Sequence, residues 1–106
     1  MATGRLGTAD LAAATNTTVY TVPADTFSVV SISICNRGST TATIRIGICD
    51  TATPGDDEWL EYDASVLAKG VIERTGIVAD AGKLIVVRSS AISVNAVVYG
   101  IETATA

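Results

Sequence analysis

Between Phe27 and Asp50 the chain reads FSVVSISICNRGSTTATIRIGICD, with apolar residues at every second position over two consecutive runs. Val30, Ile32 and Ile34 alternate with Ser31, Ser33 and Cys35. Beyond Asn36-Arg37-Gly38-Ser39-Thr40, the residues Ala42, Ile44, Ile46 and Ile48 alternate with Thr43, Arg45, Gly47 and Cys49. A period of two belongs to a pleated strand with one apolar face, and β-branched side chains fit such a surface best. The segment is read as a β-hairpin turning at 36–40. Two strands with matched apolar faces need a second sheet to cover them.

The rest of the chain follows the same pattern less strictly. Thr17–Val22 is rich in β-formers and is separated from the central segment by Pro23-Ala24-Asp25-Thr26. Residues 51–57, TATPGDD, form a loop around Pro54-Gly55. Glu58–Val66 breaks strict alternation and suits an edge strand or irregular segment. Weak alternation returns in Gly70–Arg74, and residues 77–82 suit a strand end followed by a glycine turn. Lys83–Arg88 and Ile92–Ile101 are strong strands; in the latter, Ile92, Val94, Ala96 and Val98 share one face, and Val97, Tyr99 and Ile101 the other. A strand apolar on both faces is central to its sheet or covered by another subunit. Short strands with turns every 8–12 residues point to an all-β fold, a single antiparallel β-sandwich or jelly-roll-like domain over 17–102. Residues 1–16 are small and weakly patterned and are read as an extended N-terminal arm, with 103–106 as a C-terminal tail.

At 106 residues the chain is one domain of common size, long enough to fold without disulfide or metal. Hydrophobic residues make up 48% but aromatics only 5%, so the core is built of Val, Ile, Leu and Ala. A charged fraction of 17% leaves a neutral surface suited to burial against partners. A net charge of −4 with no basic stripe speaks against nucleic acid and against anionic membrane surfaces. No apolar run has the length of a membrane span, and the first residues lack signal-peptide character, so no membrane partner and no secretion are expected. On the hairpin reading, Cys35 and Cys49 stand about 20 Å apart at the rise of a strand. They are expected to be reduced and separate, as in a protein assembled in the cytoplasm.

The chain contains no histidine, which removes the common catalytic triads and the commonest metal ligand, and no phosphate-binding or nucleophile-elbow motif occurs. No catalytic residue, metal or cofactor is expected. The acidic cluster Asp50, Asp56, Asp57, Glu58, Glu61 and Asp63 lacks the spacing of a calcium loop or of a carboxylate pair across a cleft, and is read as solvated. Trp59 and Tyr62 are the one candidate ligand-binding pair, since aromatics stack on sugar rings; their alternative role is packing at the core margin.

Five phrases carry a resemblance: Val19-Tyr20-Thr21-Val22-Pro23-Ala24, Cys35-Asn36-Arg37, Glu58-Trp59-Leu60-Glu61-Tyr62-Asp63, Glu73-Arg74-Thr75-Gly76-Ile77 and Val98-Tyr99-Gly100-Ile101-Glu102. In this order they resemble small structural proteins of tailed-bacteriophage virions, especially of phages infecting cyanobacteria and other aquatic bacteria. The resemblance spans residues 17–102. It implies a non-enzymatic virion protein assembled in the host cytoplasm and does not choose between the capsid surface and the tail. A single short domain with no coiled coil or fibre repeat favours a capsid decoration or cement protein, whose expected partners are the major capsid protein and further copies of itself in a homotrimer. The alternative it implies is a tail, baseplate or fibre module that binds a carbohydrate or host receptor. The contact surface expected from the residues is the arm, with Arg5, Leu6 and Leu11, and the outer face of the last strand, with Val97, Tyr99 and Ile101.

Overall fold

A computed structural model describes residues 2–105; Met1 and Ala106, the outermost residues of the expected arm and tail, lie outside it. The protein is all-β. Eight strands follow one another as β1 (Thr3–Leu11), β2 (Thr17–Thr21), β3 (Thr26–Asn36), β4 (Ala42–Cys49), β5 (Trp59–Val66), β6 (Val71–Ala79), β7 (Leu84–Ser89) and β8 (Val94–Ala104). They form two antiparallel four-stranded sheets, β1-β8-β3-β6 and β2-β7-β4-β5. The pairings of first with last strand, second with seventh, third with sixth and fourth with fifth are nested within one another.

The alternation read from the sequence decides which side chains meet between the sheets. Val30, Ile32 and Ile34 of β3, Ala42, Ile44 and Ile46 of β4, Ile85 and Val87 of β7, and Val94, Ala96 and Val98 of β8 all join one buried cluster. This core is aliphatic, as the composition requires, and burying each such side chain is worth roughly 1.5–3 kcal/mol.

Three expectations are corrected. The central segment is not a hairpin: β3 and β4 lie in different sheets, so residues 37–41 arch from one layer to the other. Buried Asn36 fixes that arch. Its amide donates to the carbonyls of Thr40 (2.8 Å) and Val66 (3.1 Å), and its Oδ1 accepts the Gly38 N–H (2.9 Å). Local alternation is identical for a hairpin and an arch; what differs is the partner, which a buried side-chain amide selects here by spanning both sheets.

The second correction concerns the arm. Residues 3–11 are a strand of the first sheet, in register with β8 from Thr3↔Ile101 to Leu11↔Val94. Leu11 is buried in the core and Leu6 packs against it, so neither belongs to an outer contact surface. Small residues are what this edge needs: a Cβ at Gly7 would lie 2.2 Å from the carbonyl oxygen of Val19, so only glycine lets β1 lie this close to β2 of the facing sheet. The expected tail is likewise partly strand, since Thr103 and Ala104 pair with Phe27 and Thr26. Third, Ile92 lies in the turn before β8 and is exposed, not on its inner face.

At the opposite side of the sandwich, the edge strands β5 and β6 are tied across the layers by Arg74 Nη1 and Glu61 Oε2 at 2.8 Å. Strand β5 is an edge, as its broken alternation suggests, and its pairing with β4 is interrupted on either side of Ile46. Bulges also interrupt β1 at Arg5/Gly7 and β2 at Thr18/Tyr20, and Gly76 takes a positive φ of 70° in β6. Bulged edges are poor templates for strand addition.

Candidate functional site

Two outer faces remain, one per sheet, and they differ in chemistry. On the first sheet, alternation directs Val29, Ser31, Ser33 and Cys35 of β3 outward, together with Val97, Tyr99 and Ile101 of β8. Register aligns Val78, Val29 and Ile101 in one row across β6, β3 and β8. These three side chains keep 61%, 37% and 49% of their surface exposed, which is unusual for an in-register apolar row on an outer face. Arg5 is exposed and pairs with Tyr99, whose hydroxyl donates to Glu73 on the same face. Of the expected contact residues, Arg5, Val97, Tyr99 and Ile101 therefore share one surface, whereas Leu6 and Leu11 do not. Val29 and Val78 were not singled out by the sequence, because their membership depends on register between strands far apart in the chain.

The second sheet carries the aromatic pair. Trp59 is opposite Gly47 in register, and its ring lies over that glycine. A Cβ at position 47 would come within 2.9 Å of Cys49 Sγ and 3.2 Å of Trp59 Cε3. The Trp59 ring packs at the margin of the fold against Gly47 and Cys49. Tyr62 meets Trp59 edge-on at 5.9 Å between centroids and is 60% exposed.

The feature that organises this face is a bulge in β5. Ile44 pairs with Ala64 and Ile46 with Glu61, so Tyr62 and Asp63 together stand opposite Arg45 alone. Asp63 adopts a positive φ of 55° at this point, a conformation that aspartate tolerates better than most residues. As a result Arg45 meets both: its guanidinium carbon sits 4.0 Å from the Tyr62 ring centroid, and its Nε and Nη2 donate to the two Asp63 oxygens at 2.8 and 3.3 Å. That guanidinium holds the Asp63 carboxyl below the usual carboxylate range, with the charge of Arg88 acting in the same direction. Arg88 is directly across from Arg45 on β7. Among the described residues Arg88 makes no ion pair. Thr43, Arg45, Asp63, Arg88, Ser90 and Ala14 line a depression of about 270 Å³, and a second, shallower one adjoins it over Asp56, Trp59 and Tyr62.

Two other members of the acidic cluster are occupied structurally, whereas Asp56 and Asp57 are exposed. Glu58 accepts the N–H groups of Asp50 (3.0 Å) and Gly55 (2.7 Å), which holds the 50–58 loop closed on itself. Asp50 pairs with Lys83 at 3.0 Å. Among the described residues no group of three or more His, Cys, Asp or Glu side chains is gathered to hold a metal ion. Cys35 and Cys49 are both free, on different sheets, and burial with Glu58 and Asp50 nearby pushes the Cys49 thiol up to about 11. Comparison with protein-family models, curated proteins and solved structures gave no match.

Proposed function

We propose that the protein is a non-enzymatic structural protein of a tailed-phage virion, which decorates the head as a homotrimer and seats the outer face of its first sheet on the major capsid protein. The observation that carries this reading is the exposed in-register row Val78–Val29–Ile101, on a face where, among the described residues, the strands direct Arg5, Asp10 and Glu73 outward and Arg37 pairs with Asp10 at its margin. Covering such a row is favourable at roughly 25 cal/mol per Å², and many copies on a lattice multiply a modest gain per contact. The nested strand order is the one expected of jelly-roll winding, an architecture that viral capsid and lectin domains both use; the ordered phrases described above supply the preference for a virion. The test is co-sedimentation with heads purified from the virus that encodes the chain and stripped of accessory proteins. Wild-type protein is expected to pellet with the heads and the double variant Val29→Lys/Ile101→Lys to stay in the supernatant, with its Tm nearly unchanged because both positions are exposed. Equal occupancy of wild type and variant rejects this face, and no wild-type binding rejects the reading. Light scattering on the free protein checks the expected mass of a trimer.

A second reading, a tail or fibre module that recognises a carbohydrate, draws on the opposite face. Tyr62 with one ring side on Arg45, half-buried Trp59 and the adjoining depression make a small amphipathic surface of the kind on which a sugar ring rests.

A further inference from the structure

Two arginines directly opposite each other on neighbouring strands repel, and a sheet keeps such a pair only where something negative stands between them. Asp63 supplies one carboxylate, and both of its oxygens are taken by Arg45. The depression thus holds two cations and one anion in a chain whose net charge is −4. Arg88 is half-buried beside it with no carboxylate of its own. A guanidinium presents a planar fork of donors that matches a carboxylate, and it does so more specifically than an ammonium. Around this fork stand the Thr43 and Ser90 hydroxyls, and beyond Arg45 lies the exposed ring of Tyr62. A volume of about 270 Å³ is smaller than a drug-sized pocket and fits one compact charged unit, with the neighbouring depression available to the next unit of a chain.

We propose that Arg88, with Thr43 and Ser90, binds the carboxylate of an acidic saccharide, a uronate-type unit whose neighbouring ring lies over Tyr62. This rests on the carbohydrate reading and narrows it to an anionic sugar. Arg45 acts as a positioning residue: its guanidinium packs on the Tyr62 ring and holds it beside the pocket.

The experiment is calorimetric titration of the full chain with trigalacturonate, maltotriose, sodium acetate and sodium sulfate, each at two salt concentrations. Trigalacturonate is expected to bind with an affinity that falls as salt rises, and maltotriose at least tenfold more weakly. Arg88→Gln should lower trigalacturonate affinity at least tenfold without moving Tm. Asp63→Asn, which keeps a residue tolerant of positive φ while removing the competing carboxylate, should raise it several-fold. That opposite sign is not expected if the cluster only stabilises the fold. Equal binding of maltotriose and trigalacturonate overturns the acidic specificity while leaving the carbohydrate reading in place. Acetate or sulfate matching trigalacturonate reduces the site to one for simple anions and overturns the saccharide. Binding of none of the probes overturns both.

Discussion

Tyr20 joins the two sheets through buried polar groups. Its hydroxyl donates to Glu102 Oε2 at 2.5 Å and shares a 2.6 Å hydrogen bond with the buried hydroxyl of Ser28, so it links β2 of one sheet to β3 and β8 of the other. Burial, followed by the hydrogen bond to Glu102, pushes the Tyr20 phenol up to about 12. The same hydroxyl, and then the Ala2 N–H, hold the Glu102 carboxyl below the usual range. A carboxyl lowered by folding stabilises fully above its unfolded value of about 4.3, and that contribution is lost as pH falls through the folded value. Glu102→Gln is therefore expected to flatten the loss of Tm between pH 5 and 3 measured by circular dichroism. Tyr20→Phe should cost about 1 kcal/mol in urea denaturation at neutral pH. A second residue-scale expectation concerns the thiols. Cys49 is fully buried and its thiolate is disfavoured, whereas Cys35 is partly exposed. Ellman's reagent at pH 8 should count one thiol in the native protein and two in guanidinium; two fast-reacting native thiols would contradict the burial of Cys49 beside Gly47 and Trp59.

At the scale of elements, β1 separates what the sequence made legible from what it did not. Strands with several Ile or Val residues at alternate positions are legible: the inner faces expected for β3 and β4 are those observed, and so is that of β8 except for Ile92. Strand β1 has three residues able to reach the core, Leu6, Ala9 and Leu11, diluted by Gly4, Gly7 and a bulge, and periodicity cannot find a strand so thin. Its place is set by the partner: β8 needs a neighbour on its free side, and Gly7 permits the approach to β2. The same limit explains the misread hairpin, since strand partners are chosen by register and by Asn36, and neither has a local signature. The candidate site follows this rule too. Tyr62 and Trp59 stood out as rare residue types, but Arg88 and the outward pairing with Arg45 emerge only once β4 and β7 are neighbours. Deleting residues 2–11 should therefore abolish cooperative unfolding. Leu11→Ala alone should cost about 2–5 kcal/mol, measured in denaturant. A truncated protein with an unchanged Tm would return β1 to the status of an arm.

Across the whole molecule the two functional proposals occupy opposite sides of one thin body, 46 × 27 × 19 Å in extent. Seating the Val78–Val29–Ile101 row on a lattice leaves the Arg45–Arg88 face pointing away from it, so docking and ligand recognition need not compete. The protein with its first face covered should still bind trigalacturonate, which a titration on saturated heads can measure. The nested pairing has a different consequence, for how the chain is made. Because Thr3 pairs with Ile101 and Thr26 with Ala104, the first sheet lacks its second strand until the final residues are available. Strand β1 stays unpaired in its sheet until β8 is available, whereas β3 can pair first with β6 on its other side, so folding is governed by contacts far apart in the chain and not by local hairpins. Refolding from urea should accordingly fall in the milliseconds-to-seconds range of all-β sandwiches, checked by stopped-flow fluorescence of Trp59. Until β8 is in place, β1 and one edge of β3 are unpaired, and such exposed strands promote aggregation.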